Sequence, residues 1–523
     1  DWWKGHVRPR VTIESGSGMF VRYYDWPPYR HANTFQGPII PPELLEAQGY
    51  QHLAEGCKGI NWFVLNDGEY LEDGAERMLP QRIYSFQAPL TIAGNLRPSY
   101  GKLKRLGWFL RAFEPEIVTA VPHETWAKAT SYGIPHPGVE TAGDDLFESY
   151  HKEAEQSDNP LRHVQPVKSG GLVNKGLNLS ESNFLILSNY CTHGSHWRRD
   201  IRVETCPRGI PCEVSQEYPK RTQLELAPQE NKILPFFVKL ATRHFLEYST
   251  ATLLDRRPFG HGGMQVIAWA RADATVETRF VLPETCPARV MRNAMVHWES
   301  PNTAQTLAIP GAAMEIVCFD SPIPIRYVLM NGERAEEVWD VDSPHGDLVA
   351  TSSLRVMESE TTGQTTALTL QADRPDFHFY LLSPTRPTLT GPFAEFAEAY
   401  DAEFGLYQAS GRLDVPHPHI DFHRRQDGDT LIIEADLSPA LLDAAFVDLT
   451  LQVEFDGVLG HAYLDDTLIS DHAYGRYHPW EINLQDRLTR PGRLRLVCTG
   501  THRAEIAVRP IVAATATLAF DSL

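Results

Sequence analysis

Glu14 closes the β-branched run Val11-Thr12-Ile13 and is followed at once by the glycine-rich turn Ser15-Gly16-Ser17-Gly18 and then by aromatics. A strand of that composition is built to be buried, and an ionised carboxylate at its mouth must be hydrogen-bonded, paired or turned into a pocket. Carboxylates that do chemistry in a β/α barrel sit in that place, at the C-terminal ends of strands. A glutamate that only ends a strand and caps a turn is the competing reading. The apolar run at 59–65 likewise ends in Asn66-Asp67-Gly68-Glu69-Tyr70. Asn66 and Asp67 stand where side chains that bind sugar hydroxyls belong in such an architecture, although Asn-Asp-Gly also makes a turn unaided. Asp67 or Glu69 could also hold a cationic amine. Sugar rings present apolar C–H faces, so Tyr23, Tyr24, Trp26 and Trp62 could wall a subsite beside Glu14. Core packing explains Trp62 equally well, because it lies inside an apolar strand. It explains Trp26 less well, because that residue lies in the loop Asp25-Trp26-Pro27-Pro28.

Other clusters suggest chemistry more weakly. On a strand at 417–423, His417, His419, Asp421 and His423 would share one face. Zinc sites usually draw ligands from more than one element, so no metal site is assigned there. His193 and His196 near Cys191 are accounted for by a polar loop. Ser17 lacks the spacing of a nucleophile elbow, which excludes a serine hydrolase. No cofactor is expected.

The elements that would position these residues change character along the chain. Pro41-Pro42-Glu43 opens a helix that runs through Leu53 and stops near Gly56. The 59–65 run suits a strand buried on both faces of a parallel sheet. A second helix, Pro98 to Phe113, places Tyr100, Leu103, Leu106, Leu110 and Phe113 on one side. Residues 1–118 therefore read as two βα units, the C-terminal strands and helices of a (β/α)8 TIM barrel. A short helix is expected near Asp144 to Ala154. After it come strands at 184–190, 233–240, 264–270 and 431–437, separated by Pro, Gly and Asn turns, as in antiparallel β-sandwiches. Gly391-Pro392 opens an expected helix over 393–404. The expected divisions are 1–118 (barrel end), 119–290 (helix, then β-sandwich), 291–390 (β domain) and 391–523 (helical connector and jelly-roll sandwich).

The 523 residues carry 67 acids against 48 bases, a net charge of −19, which repels phosphate backbones and argues against a nucleic-acid partner. With 42% hydrophobic and 22% charged residues the composition is that of a globular chain. No apolar run approaches the roughly 18 residues of a membrane span, so no membrane partner is expected. Asp1-Trp2-Trp3-Lys4 has no signal-peptide character, consistent with a cytoplasmic protein or with a mature or truncated one. The seven cysteines are scattered. Cys206 and Cys212 could close a hairpin disulfide in an oxidising compartment, and the alternative of free thiols favours the cytoplasm over secretion.

Three stretches resemble the β-galactosidases of glycoside hydrolase family 35. VTIESGSG is similar to the strand that carries that family's nucleophile, and HLAEGCKGINWFVLNDG, residues 52–68, is similar to its next helix-and-strand unit. FDGVLGHAYLDDTLISDHAYGRYHPWEINL, residues 455–484, is similar to its C-terminal jelly-roll segment. FLILSNY and HFLEYSTATLL, residues 244–254, keep the family's order between them. The resemblance implies a retaining exo-β-glycosidase acting on terminal β-galactosides, with Glu14 as nucleophile and Tyr24, Trp26, Trp62, Asn66 and Asp67 binding substrate. An exo-β-glucosaminidase or other β-hexosidase is an alternative, and so is a non-catalytic carbohydrate-binding subunit. A retaining site needs a second carboxyl group about 5–5.5 Å from the first. The family keeps this acid/base glutamate on an earlier barrel strand, and only thirteen residues precede Glu14 here. The expected partners are therefore a β-linked glycoside and a second polypeptide or further N-terminal segment that completes the barrel. Homodimer contacts through the sandwiches are also open.

Overall fold

A computed structural model describes residues 10–16, 42–54, 56–69, 83–84, 87–122, 127–134, 164–166, 168–173, 182–189, 197–205, 216–299, 302–308, 313–438, 441, 446–473, 479–485, 487–488 and 490–522. The described chain is mostly antiparallel β-sheet. It divides into two units that are interleaved in sequence. One comprises 1–15, 41–63 and 99–336, and the other 16–40, 64–98 and 337–523.

In the first unit, β1 (Arg10–Gly16) and β2 (Cys57–Phe63) form a two-stranded sheet and are connected through α1 (Pro42–Ala54). A β-carbon on Gly59 would lie 3.3 Å from Val11, and the Asn61 N–H donates to Thr12 Oγ1 at 3.1 Å. The two contacts advance together along both strands, so the strands run parallel, as a strand–helix–strand crossover requires. α1 starts at the expected proline and buries Leu44, Leu45, Tyr50 and Leu53, and its end is closed by the Gly56 N–H donating to Leu53 O at 2.8 Å. The second helix, α2 (Pro98–Ala112), is followed by α3 (Glu114–Thr119). Its buried side is centred on Arg105, Leu106, Trp108 and Phe109, while Tyr100, Leu103 and Leu110 are only half-buried. Gly49 of α1 faces Leu106 of α2 so closely that no β-carbon would fit.

The rest of this unit is three layers of sheet. Strand Asn183–Ser188 lies within the eight-stranded middle sheet, and its alternate residues serve different cores. Phe184 and Ile186 join Val266, Ala268, Val317 and Phe319 of a five-stranded sheet. Leu185 and Leu187 join Ile201, Val203, Leu224 and Leu226 of a smaller sheet. With both faces covered, the strand reads as a continuous apolar run. The five-stranded sheet contains one parallel pair, Gly263–Ala270 with Ile325–Asn331. Tyr50, Leu53, Leu106, Phe109 and Phe113 belong to the same core as these sheets. The helices expected to form the end of a separate barrel at 1–118 therefore share their core with the sandwich. Beyond β1 and β2, no further barrel strand is found among the described residues.

The second unit has three larger sheets around one core, in which Leu449, Leu451 and Val453 of strand Phe446–Phe455 meet Ile433, Leu494 and Leu496 of a facing sheet. β3 (Gly68–Glu69) and β4 (Ile83–Tyr84) form a small hairpin. The jelly-roll segment at 455–484 falls as expected on strands Leu459–Leu464, Thr467–Ala473 and Trp480–Asn483.

The helix expected over 393–404 is instead strand Ala394–Asp401, paired antiparallel with Leu406–Arg412. A bulge between Ala394 and Ala397, with Glu395 at φ 50°, breaks the two-residue alternation and sets Phe393 and Phe396 face to face at 5.6 Å. Two aromatics three apart on one side mimic helical spacing. The turn is closed by Asp401, whose carboxylate accepts from the Glu403 and Phe404 N–H groups, and by Gly405 at φ 58°. Residues 413–422 also form no strand, so His417, His419 and Asp421 do not share a strand face with His423. Sheet pairing crosses two of the expected divisions. Val276–Val281 pairs with Thr303–Ala308 across 290, and Thr365–Ala372 pairs with Ala504–Phe520 across 390. The helix expected at 144–154, the sequence around Cys191, His193 and His196, and the Cys206/Cys212 pair lie outside the described residues. No helix among the described residues is long and apolar enough to cross a membrane.

Candidate functional site

Glu14 lies in β1, two residues before its end; its side chain, like Tyr23, Tyr24 and Trp26, lies outside what the structure describes. The surroundings of β1 and β2 are firmly held. On α2, Arg105 donates to Glu46 of α1 at 2.7 Å, lies 3.7 Å from the Trp269 ring and reaches Glu336 at 3.3 Å. Burial pushes the Glu46 carboxyl above its ordinary value, against the opposing pull of Arg105 and Lys102. Lys58 of β2 donates to Ile117 O at 2.6 Å and to Ala120 O, fastening the strand to the C-terminal end of α3. Burial lowers its ammonium pKa. Val11 is 59% exposed, an unusual state for a β-branched residue in a strand.

Trp62 is half-buried and packs against the core shared by α1, α2 and the sheets, which is the packing role. Asn66 is exposed, and its amide donates to Asp67 O at 3.0 Å. Asp67 is 2% exposed with both carboxylate oxygens engaged. One accepts the Ala88 N–H at 3.2 Å, and the other is 2.7 Å from Arg97. Asn66 and Asp67 belong to the second unit, and Glu14 and Trp62 to the first. Glu69 lies in β3, with its side chain outside the description.

The residues that sequence reasoning missed are Arg97, Glu481, Asn95 and Asp448. Arg97 also donates to Ala88 O at 2.8 Å and to Glu481 at 2.6 Å. Burial works against the charged guanidinium, and Glu481 and Asp67 more than offset it, so its pKa lies above the ordinary value. Asn95 donates to Asp448, which also accepts from Thr450 at 2.9 Å and from Asn483. Nothing local in Asn95-Leu96-Arg97-Pro98 signals partners more than 350 positions away.

Among the described residues no group of three His, Cys, Asp or Glu side chains is arranged to hold a metal. His419 meets Asp421 at 2.8 Å, with both side chains largely exposed. Cys57, Cys286, Cys318 and Cys498 are buried free thiols.

No family model and no curated protein matches the chain. Solved structures that match include an α-xylosidase of glycoside hydrolase family 31 from Xanthomonas citri, at 9% identity over 52% of this chain with a TM-score of 0.14. Another is a xanthan lyase from Paenibacillus, at 10% identity over 66% of this chain with a TM-score of 0.10. The chain spans 38% and 42% of their respective lengths. At those scores the likeness carries no argument about fold or activity.

Proposed function

We propose that this chain carries the nucleophile of a retaining exo-β-glycosidase acting on terminal, non-reducing β-galactosides. In this reading the remaining barrel strands and the acid/base glutamate come from sequence beyond this chain or from a second polypeptide. The observation that carries the reading is the position of Glu14 near the C-terminal end of a strand in a parallel strand–helix–strand unit, where barrel enzymes keep their reacting carboxylates. The exposure of Val11 on a two-stranded sheet also suits strands that add to β1.

The chemistry would run in two displacements. The Glu14 carboxylate attacks the anomeric carbon while the acid/base glutamate protonates the departing oxygen, leaving a glycosyl ester. Water, deprotonated by that same glutamate, then attacks the anomeric carbon and frees Glu14, with configuration retained. Galactose is favoured over glucosamine because the Asp67 carboxylate is held by Arg97 and Ala88 and does not present itself to a substrate amine.

The test is Glu14→Gln in protein purified from its natural source, with every polypeptide identified by denaturing intact mass. Turnover of a nitrophenyl β-galactoside should fall by about a thousandfold or more while sugar affinity persists. Unchanged turnover would remove Glu14 from the mechanism. Glycan binding without turnover in the unaltered protein would assign the chain to a binding subunit.

A further inference from the structure

The loop that follows β2 is held by a polar web within the second unit. The Asp67 N–H donates to Leu90 O and the Leu90 N–H donates to Leu65 O, each at 3.1 Å, so Asn66 is framed by a parallel bridge to Leu90. Residues 89–97 then close on themselves. The Arg97 N–H donates to Pro89 O at 2.9 Å, the Thr91 N–H donates to Asn95 O at 2.9 Å, and the Asn95 N–H donates to Thr91 Oγ1 at 3.0 Å. One side chain ties this closed loop both to the Asn66 loop and to the sandwich. Arg97 grips Asp67 at 2.7 Å and Glu481 at 2.6 Å, and Asn95 adds a second tether to Asp448 and Thr450.

Asp448 and Thr450 alternate with the core residues Leu449 and Leu451, so they lie on the outward face of their sheet. That face would ordinarily meet water, yet both residues are buried. The contact is made of charge-assisted hydrogen bonds with defined geometry, and so it specifies position more than it supplies bulk stability.

We propose that Arg97 is a positioning residue, through which the terminal sandwich sets the conformation of the Asn66 loop for sugar binding. The proposal rests on the glycosidase reading. It recasts Asp67 as the anchor of the loop, with Asn66 as the side chain that the anchor presents.

The experiment compares Arg97→Gln, Arg97→Lys and Glu481→Gln with the unaltered, naturally purified protein, well below its unfolding midpoint. The readouts are nitrophenyl β-galactoside kinetics and hydrogen exchange. Arg97→Gln should raise KM about tenfold with kcat nearly unchanged, and exchange should quicken at 64–69 and 87–91 but not across 231–281. Lysine keeps the charge but not the fork, so it should recover part of the KM. Glu481→Gln leaves the Asp67 pair intact and should move both readouts in the same direction by less; it carries the test if the glutamine variant does not fold. Faster exchange with KM unmoved overturns the positioning role, as does exchange that stays at the unaltered rate. Absence of turnover in the unaltered protein defeats the glycosidase reading itself, and the sugar-binding role of Arg97 with it.

Discussion

Glu277 and Asp67 are both buried carboxylates, and they are held in opposite ways. Glu277, in the middle sheet of the first unit, accepts the N–H groups of Lys220, Arg221 and Thr222 at 3.0, 2.8 and 2.8 Å, the Tyr248 hydroxyl and the Gln305 amide. Its charge is spread over neutral dipoles. Asp67, in the second unit, is held by a single backbone N–H and a single cation, Arg97, which it shares with Glu481. A carboxylate satisfied by many neutral donors tolerates the loss of any one of them. One that depends on a shared guanidinium fails with that residue. The first arrangement suits a loop that is only structural, and the second suits a loop whose position depends on one contact.

The largest effect should come from Glu277→Ala, which strands several buried donors at once. It should cost about 4 kcal/mol or more in urea unfolding, and a cost under about 1 kcal/mol would mean that those donors find water instead. Arg97→Gln should cost about 3 kcal/mol, since it leaves Asp67 buried without its cation. Asp67→Asn should cost less, because Arg97 keeps Glu481. If the two changes cost the same, the shared-cation picture is wrong.

A smaller effect is expected from pH. Burial raises the Glu277 pKa, and the Tyr248 hydroxyl and the three N–H groups more than reverse this, so the carboxyl titrates below its ordinary value. A depressed folded-state pKa contributes stability that is present above the unfolded value, about 4.3, and is lost as pH falls through the folded value. The stability gap between the unaltered protein and Glu277→Gln should therefore be widest above about pH 5 and narrow steadily on acidification. A gap that widens in acid would reverse the sign assigned to Glu277. The smallest effect belongs to Asp421→Ala, which breaks a solvent-exposed pair with His419 and should leave the unfolding midpoint within error.

Much of the local structure is legible from residue types. The runs at 184–190, 233–240, 264–270 and 431–437 are strands within a residue or two, because β-branched and aromatic residues between turn formers have few other uses. Both early helices begin at their prolines. The failure at 393–404 has a specific cause. A bulge at Glu395 gave a strand the side-chain spacing of a helix, and pairing with Leu406–Arg412 overrode it. The candidate site was legible only in its carboxylate. Asp67 was visible as a polar strand-end residue, but its partner Arg97 was not.

By itself the sequence determined where strands, helix starts and turns fall, and that Glu14 stands near the end of a strand, because backbone propensity and side-chain periodicity act over a few residues. Only the tertiary structure decided that segment 64–98 belongs with residues 337–523, that the helices beside β1 share a core with the sandwich, and that Arg97 meets Glu481 across 384 positions. Sheet pairing and buried ion pairs reward contacts between residues far apart in sequence, and no local pattern records which distant partner completes them.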